Sequence, residues 1–517
     1  MALIPRPFAA TRSRLRDFLL LLSALLSAAI LLSLHHLNHS SAAAFSAADP
    51  SSSFSSPTPP LSPDRLLFAV ASSAASLPAR APYIRLWRRP IAHLNTTFLF
   101  LDRAAAPDPP SSLPPIVVPP GAASVAAGHR IARVIRDAVA LDVPGIHWYV
   151  FGDDDTLFFP ENLVRILSKY DHNRWHYIGC GSESYEQNEK FYFDMAFGGG
   201  GYAISAPLAR VLARVLDSCL TRYPHLYGSD ARVFACMAEL GVRLTVEPGF
   251  HQVDIRGNLF GFLSAHPLSL VASLHHIDAV EPIFPGMTRI QALEHLLSAV
   301  HVDPPRILQQ TVCYDNRNSL TVSISWGYAV QVYEGNQLLP DVLLPQRSFR
   351  PWKRGKNAPS ITRYMFKTRE YPSDPCERPV VFFLHTVVAN TTSVWTKYVR
   401  HDKAGNCPRT KAVEKLKRVS VFSRSLEFDV EQMKELRRPC CDIMSTSDET
   451  MTVQIRKYSF SMIYDIIVSF TSKSTIIGLL IEAVELPQTI LQLWISCLYF
   501  WICKKTLYPF PGEDRCL

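Results

Sequence analysis

The chain has 517 residues, with 53 Lys and Arg against 45 Asp and Glu and a formal net charge of +8. That length holds two or three domains with sizeable cores, and the surplus charge is spread without a long basic block, so a nucleic-acid partner is not implied. With 11 cysteines the chain is too Cys-poor for a small disulfide scaffold; a handful of bridges in an oxidising compartment fits, and no Cys/His spacing reads as zinc.

At the N-terminus, Arg6, Arg12, Arg14 and Arg16 precede an uncharged run over 18–34. Basic residues before an apolar run orient it with its N-terminus in the cytosol. We read 1–17 as a cytosolic tail, 18–34 as an uncleaved signal anchor and 35–63, rich in Ser, Ala and Pro, as a flexible lumenal stem. The expected location is the Golgi membrane, single-pass type II, with the rest of the chain lumenal. A span at the short edge of the usual ~20 residues suits the thinner early secretory membranes. A signal peptide cleaved near the small residues at 42–48 is the competing reading. Sequons at Asn38, Asn95 and Asn390 fit a lumenal chain.

A globular region is expected over 64–305. Leu66-Leu-Phe-Ala-Val-Ala71 reads as a buried strand, 83–87 as helical, 97–101 as a second strand and 106–121 as a Pro-rich loop. A helix over 123–141 carries Ile131, Ile135 and Val139 on one side. Then Trp148-Tyr-Val-Phe151 forms a short buried strand, and Pro160 stands at the first turn of a helix carrying Leu163, Ile166 and Leu167. Further on come a strand at 175–179, a helix at 207–216 that ends near Cys219, a helix at 231–240 that holds Cys236, and an amphipathic helix over 287–300. Thr288 and Gln291 are its capping-box pair. A Cys219–Cys236 bridge would clamp the two middle helices. Alternating strands and helices argue for a mostly parallel sheet with helices on both faces, an α/β fold.

Between the strand at 148–151 and the helix at Pro160 lie three adjacent carboxylates, Asp153, Asp154 and Asp155. They sit at the carboxyl end of a strand, where open α/β sheets bind ligands. Three like charges side by side repel unless a cation lies among them, and oxygen ligands suit Mn²⁺ or Mg²⁺. Four glycines, 198–201, interrupt β-prone sequence, and bare backbone there admits close approach of a ligand, so Gly198, Gly199 and Gly200 join Asp153 and Asp154 as cofactor-binding candidates. Asp230 follows a Gly-Ser turn just ahead of a helix, a position in which a carboxylate is held and accessible. Loop histidines are individually poor candidates for ligands. Of those at 251, 266, 275 and 276, His251 beside a tight Pro-Gly turn is taken as the nitrogen that completes a metal set with Asp153 and Asp155.

Three blocks, Tyr149-Val-Phe-Gly-Asp-Asp-Asp-Thr-Leu-Phe-Phe-Pro160, the run from Asp194 to Ser205, and Tyr227-Gly-Ser-Asp230, resemble the plant Fringe-related proteins of glycosyltransferase family 31. The resemblance runs over about 66–353 and more weakly to 441. It implies a GT-A-like fold, a UDP-sugar donor, Mn²⁺, inversion at the anomeric carbon and a β-1,3 linkage to a glycan or glycoprotein acceptor. It also implies that Asp153, Asp154 and Asp155 form the metal and donor motif, that Asp230 is the catalytic base and that His251 is the metal-binding histidine. The Tyr-Gly-Ser-Asp here stands where animal Fringe carries paired acids. The rival class is a non-catalytic lumenal glycan-binding or scaffold protein on the same fold.

Residues 306–443 turn β-rich and are expected to form an extension whose cysteines, at 313, 376, 407, 440 and 441, supply bridges of unknown pairing. Residues 444–517 read as an atypical tail foreign to the resemblance, with an apolar run at 490–503 that is a second hydrophobic segment or an artefact of the gene model.

Overall fold

The structure, a computed structural model, describes residues 61–88, 95–104, 112–266, 268–353, 363–401, 407–426, 433–434, 437–447 and 449–456. The expected cytosolic tail, the anchor at 18–34, the stem up to 60 and the hydrophobic run at 490–503 lie outside them. Among the described residues no helix is long and apolar enough to cross a membrane.

In chain order the first region comprises β1 (Leu66–Ala71), α1 (Leu77–Arg88), β2 (Thr97–Phe100), β3 (Ile116–Val117), α2 (Ala127–Val139), β4 (Trp148–Asp153), β5 (Leu157–Phe158) and α3 (Pro160–Leu167). Next come β6 (Tyr177–Gly179), α4 (Tyr185–Lys190), β7 (Tyr202–Ser205), α5 (Ala206–Arg222), α6 (Gly228–Glu239) and β8 (Leu244–Val246). It closes with β9 (Phe250–His251), β10 (Ile255–Gly257), β11 (Ser273–Leu274) and α7 (Arg289–Val300). The main sheet has the order β3-β2-β1-β4-β7-β6-β8, and only β7 runs against its neighbours.

Alternation along the central strands divides the core in two. Leu66, Phe68 and Val70 of β1 join Trp148 and Val150 of β4 on one face. Leu67, Ala69 and Ala71 join Tyr149 and Phe151 on the other. Side chains that point alternately to opposite faces need cover on both, which is why these strands are apolar throughout. Ile135 of α2, Leu212 of α5 and Val233 of α6 cover the second face. Trp87 of α1, Leu163 of α3 and Leu293 of α7 cover the first. Cys219 and Cys236 are bonded, tying α5 to α6.

Several local expectations are met for the reasons given. Pro160 occupies the first turn of α3, with Leu163, Ile166 and Leu167 buried. Thr288 and Gln291 make the reciprocal capping box of α7. The expected helix at 83–87 is longer, Leu77–Arg88, and carries Pro82 inside it. The Pro-rich loop supplies a two-residue edge strand, β3, paired to β2.

The β-rich region follows as β12 (Gln310–Asp315), β13 (Leu320–Ser325), β14 (Ala329–Glu334), β15 (Phe349–Pro351), β16 (Val380–Ala389), β17 (Ser393–Arg400), β18 (Arg418–Arg424), β19 (Cys440–Thr446) and β20 (Thr450–Arg456). β15 pairs with β10 of the first region, and the others form one sheet of order β12-β13-β14-β16-β17-β18-β20-β19. Its two edge strands, β12 and β19, are joined by the Cys313–Cys441 disulfide, with Cα atoms 5.5 Å apart. The sheet therefore curls until its edges meet, which removes open edges that would otherwise recruit other strands. Cys376 and Cys407 form a further bridge. Two expected boundaries shift. Residues 450–456, assigned to the tail, are β20, an inner strand of this sheet. The change at 306 is one of secondary structure only, since a single apolar cluster runs from Leu66 and Trp148 through Leu297 to Val322 and Val453.

Candidate active site

β4 is buried from Trp148 to Gly152 and emerges at Asp153. The chain then turns tightly, with Thr156 N donating to Asp153 O (3.1 Å) and Asp153 N donating to Thr156 Oγ1 (2.9 Å). This turn sends the three carboxylates in different directions. Asp154 is buried and accepts from Ser72 Oγ and Ser76 Oγ, both at 2.7 Å. It fastens the triplet to the end of β1 and the approach to α1. Asp155 accepts from Arg80 Nη1 at 2.8 Å, and the same guanidinium reaches Asp278 at 2.9 Å.

Asp153 and Asp155 converge with a histidine, and that histidine is His275. Its Nε2 lies 3.1 Å from Asp155 Oδ1 and 3.8 Å from Asp153 Oδ2. One ligand atom from each of the three falls within 4.8 Å of the others. His251, expected in this place, is turned away. Its Nδ1 meets Glu183 at 3.0 Å and its Nε2 meets His266 Nε2 at 2.8 Å, so both nitrogens are engaged inside the protein. β9 and β11 explain the exchange: they run parallel with His251 opposite Leu274, and His251 O accepts from His275 N (3.0 Å). His251 thus places His275 through its backbone.

The three groups shift one another's titration. Asp153 keeps 38% of its side chain exposed, yet it lies deep enough that burial pushes its carboxyl up to about 7, helped by the neighbouring carboxylates and opposed by His275. Burial alone would lower the His275 imidazole, but the hydrogen bond and charge of Asp155 and the charge of Asp153 raise it to about 9. Burial alone would raise Asp155; His275 and Arg80 hold it well below the usual carboxylate range. A proton on His275 balances the carboxylates where a divalent cation would do so. His275 Nδ1 is buried without a hydrogen-bond partner among the described residues. Two carboxylate oxygens and one imidazole nitrogen suit Mn²⁺, an intermediate ion, at least as well as Mg²⁺.

The glycine run lies over this cluster, and each glycine answers to a protein group. A Cβ at Gly198 would stand 2.5 Å from Asp230 Oδ1; one at Gly199 would stand 2.1 Å from His275 Cε1; one at Gly200 would stand 3.0 Å from Gln252 N. The loop is pinned by Thr156 Oγ1 donating to Gly199 O (2.7 Å), by Gly200 N donating to Gln252 Oε1 (2.6 Å), and by the Ser273 hydroxyl donating to Gly200 O. Bare backbone is required here first by Asp230, His275 and the backbone at 251–252 where β9 ends. An alanine at 199 would drive its methyl into the imidazole. Gly199→Ala is expected to cost about 1–3 kcal/mol of stability, the usual cost of overpacking. It should also weaken cation-dependent nucleotide binding, and thermal melts alongside UDP titration measure both.

Asp230 lies in the first turn of α6, which begins at Gly228 with φ +80°. The helix has Tyr227 as its N-cap and no side-chain cap bond, so Asp230 is not the capping group. Its carboxylate accepts from Ser229 Oγ at 2.9 Å and from the backbone N–H of Gly198. Burial raises its pKa above the ordinary carboxylate value, against these two hydrogen bonds and the charge of His275. The Cys219–Cys236 bridge fixes the helix that carries it. Two nearby buried carboxylates, Glu247 and Asp254, are otherwise engaged. Glu247 is held by Lys169 and Tyr170, and Asp254 accepts from Ser182 Oγ at 2.6 Å and lies 3.2 Å from His276 Nδ1.

Sequence reading missed Arg80, Thr156, His275 and Asp278. His275 and Asp278 stand in one short run, Ser273-Leu-His-His-Ile-Asp278. A doubled histidine closely followed by an acid was the available signal, and a Pro-Gly turn outweighed it.

Residues 82–258 match the family model described as Fringe-like, and residues 187–441 match that described as Protein of unknown function, DUF604. No curated protein matches the chain in sequence. Among solved structures it is similar to a glycosyltransferase involved in the glycosylation of the major capsid of PBCV-1. That similarity is 12% in identity with a TM-score of 0.25, over 44% of this chain and 99% of that one. The Fringe-like match contains the carboxylate triplet, the glycine run, Asp230 and His251, and the second match takes in His275 and most of the β-rich sheet. The chain thus contains a Fringe-like region, overlapped by the second match, and its α/β region and β-rich extension share one core.

Proposed function

We propose that the chain is a metal-dependent, inverting glycosyltransferase that moves a sugar from a UDP-sugar to a hydroxyl of a glycan or glycoprotein, forming a β-1,3 linkage. In this reading it is held in the Golgi membrane by its N-terminal anchor and works in the lumen. The observation that carries the reading is the pairing of two functions across the glycine loop: Asp153, Asp155 and His275 as a cation site, and Asp230 as a carboxylate packed against Gly198 beside it.

A divalent cation held there would neutralise the diphosphate and make UDP a competent leaving group. The protein's own part is positional. Arg80 and the two serines lock Asp155 and Asp154, leaving Asp153 as the most exposed carboxylate of the triplet. Asp230, ionised, takes the proton of the acceptor hydroxyl as that oxygen attacks the anomeric carbon from the side opposite UDP. Attack from the opposite face inverts the configuration.

The test is release of UDP by the purified chain with Mn²⁺, a panel of UDP-sugars and mixed glycan acceptors. Acceptor-dependent release, lost with a chelator and restored by Mn²⁺, is expected. Binding of glycan without any release from any donor would replace this reading by a glycan-binding protein on the same fold.

A further inference from the structure

Beyond the 3-10 turn at Ile277–Ala279, which follows the doubled histidine, the chain borders a cleft of about 490 Å³. Its lining includes Arg256, Arg289, Arg350 and Lys353 against one carboxylate, Glu281. Glu281 comes only within 3.9 Å of Arg350, with both side chains more than half exposed. None of Asp153, Asp155, Asp230 or His275 lines it. Its cations therefore do not serve to balance the carboxylates of the first site, and like charges gathered at one cleft repel unless an anion joins them.

Two of the arginines, Arg256 and Arg289, are held in place. Arg256 lies over the Trp352 ring, 3.8 Å from its centroid, and its Nε donates to Trp352 O at 3.0 Å. Arg289 Nε donates to Val280 O at 2.8 Å. Gly257, at φ +79°, has no Cβ where Arg350 Nε would come within 3.2 Å of it. Trp352 in turn stacks on His276, with centroids 4.1 Å apart. One continuous stack thus joins the cleft to the residue next to His275. Fixed guanidinium groups favour planar or tetrahedral oxyanions through paired N–H donors, and the volume is that of a small-molecule site, larger than a lone phosphate needs.

We propose that this cleft binds an acidic saccharide, the carboxylate- or sulfate-bearing part of the acceptor, and so selects anionic glycans for the reaction. The inference rests on the glycosyltransferase reading, in which the cation at Asp153, Asp155 and His275 already serves the donor's diphosphate.

The test titrates the full chain, in Mn²⁺ and UDP, with oligogalacturonate, a sulfated galactan oligomer and a neutral galactan oligomer of equal length. Binding of one or both acidic oligomers, weakened by salt and at least about 10-fold tighter than the neutral one, is expected; which of the two binds identifies the oxyanion. The exposed pair Arg289→Ala/Arg350→Ala should lose about 10-fold or more of that affinity while keeping Mn²⁺-dependent UDP binding. Equal binding of acidic and neutral oligomers, or an unaffected double variant, overturns the proposal. So does displacement of the oligomer by UDP, which would assign the cleft to the donor. Should acidic oligomers bind as expected while no UDP-sugar is ever consumed, the cleft stands and the transferase reading falls.

Discussion

Asp155→Ala and His275→Ala are each expected to abolish Mn²⁺-dependent UDP binding, lowering affinity by more than about 100-fold. Even partners one step removed from a metal typically cost 10–100-fold, and in the proposed site these two side chains would supply ligand atoms directly. Neither change should unfold the chain. Arg80 keeps Asp278 at 2.9 Å when Asp155 is lost, and the backbone bond from His275 N to His251 O survives loss of the imidazole. His251→Ala is the informative contrast. It removes a buried side chain and leaves the Glu183 carboxylate, among the described residues, only the N–H of Val253, at 2.7 Å, at a cost of roughly 3 kcal/mol. It leaves the cation cluster intact, so the melting temperature drops while UDP affinity in Mn²⁺, measured below the melt, holds. Calorimetric titration of UDP with Mn²⁺ and with chelator separates the two behaviours. Undiminished Mn²⁺-dependent affinity in the Asp155 or His275 variant would remove the cation site from this position.

Asp230→Asn is expected to cut sugar transfer by about 10²–10⁴-fold, the usual contribution of a general base, with UDP-sugar affinity near that of the parent. A group that acts only on the acceptor's proton matters in the transition state and not in donor binding. Asparagine keeps the shape and still accepts from Ser229 and the Gly198 N–H, so packing at the loop is preserved. The pH profile gives a second readout. A base works ionised, and burial raises the Asp230 pKa. Transfer by the parent should therefore fall as pH drops through a value above the ordinary carboxylate range. The residual activity of the asparagine variant should lack that acid limb. Near-normal turnover in the variant would move the base elsewhere.

Much of the architecture is written locally in the chain. An unbroken apolar run such as Leu66–Ala71 is buried on both faces, and Pro160 and the Thr288–Gln291 pair mark helix starts by chemistry confined to a few residues. The carboxylate triplet was legible for the same reason: it stands between a buried strand and a helix start, and strand ends are where such sheets open. What only the tertiary structure decided is which distant residue meets which. His251 and His275 are both buried loop-flanked histidines, and composition does not rank them. The parallel pairing of β9 with β11 does, by placing one against Glu183 and the other against Asp155. The glycine run likewise announced close approach, but the partners came from α6 and from His275 just past β11, folded against it from later in the chain. The β-rich region was legible as strands, whereas its closure by Cys313 and Cys441, 128 residues apart, depended on the accumulated twist of the intervening strands. Sequence by itself determined the elements and the class of chemistry; long-range strand pairing, which no local pattern encodes, determined the membership of the site.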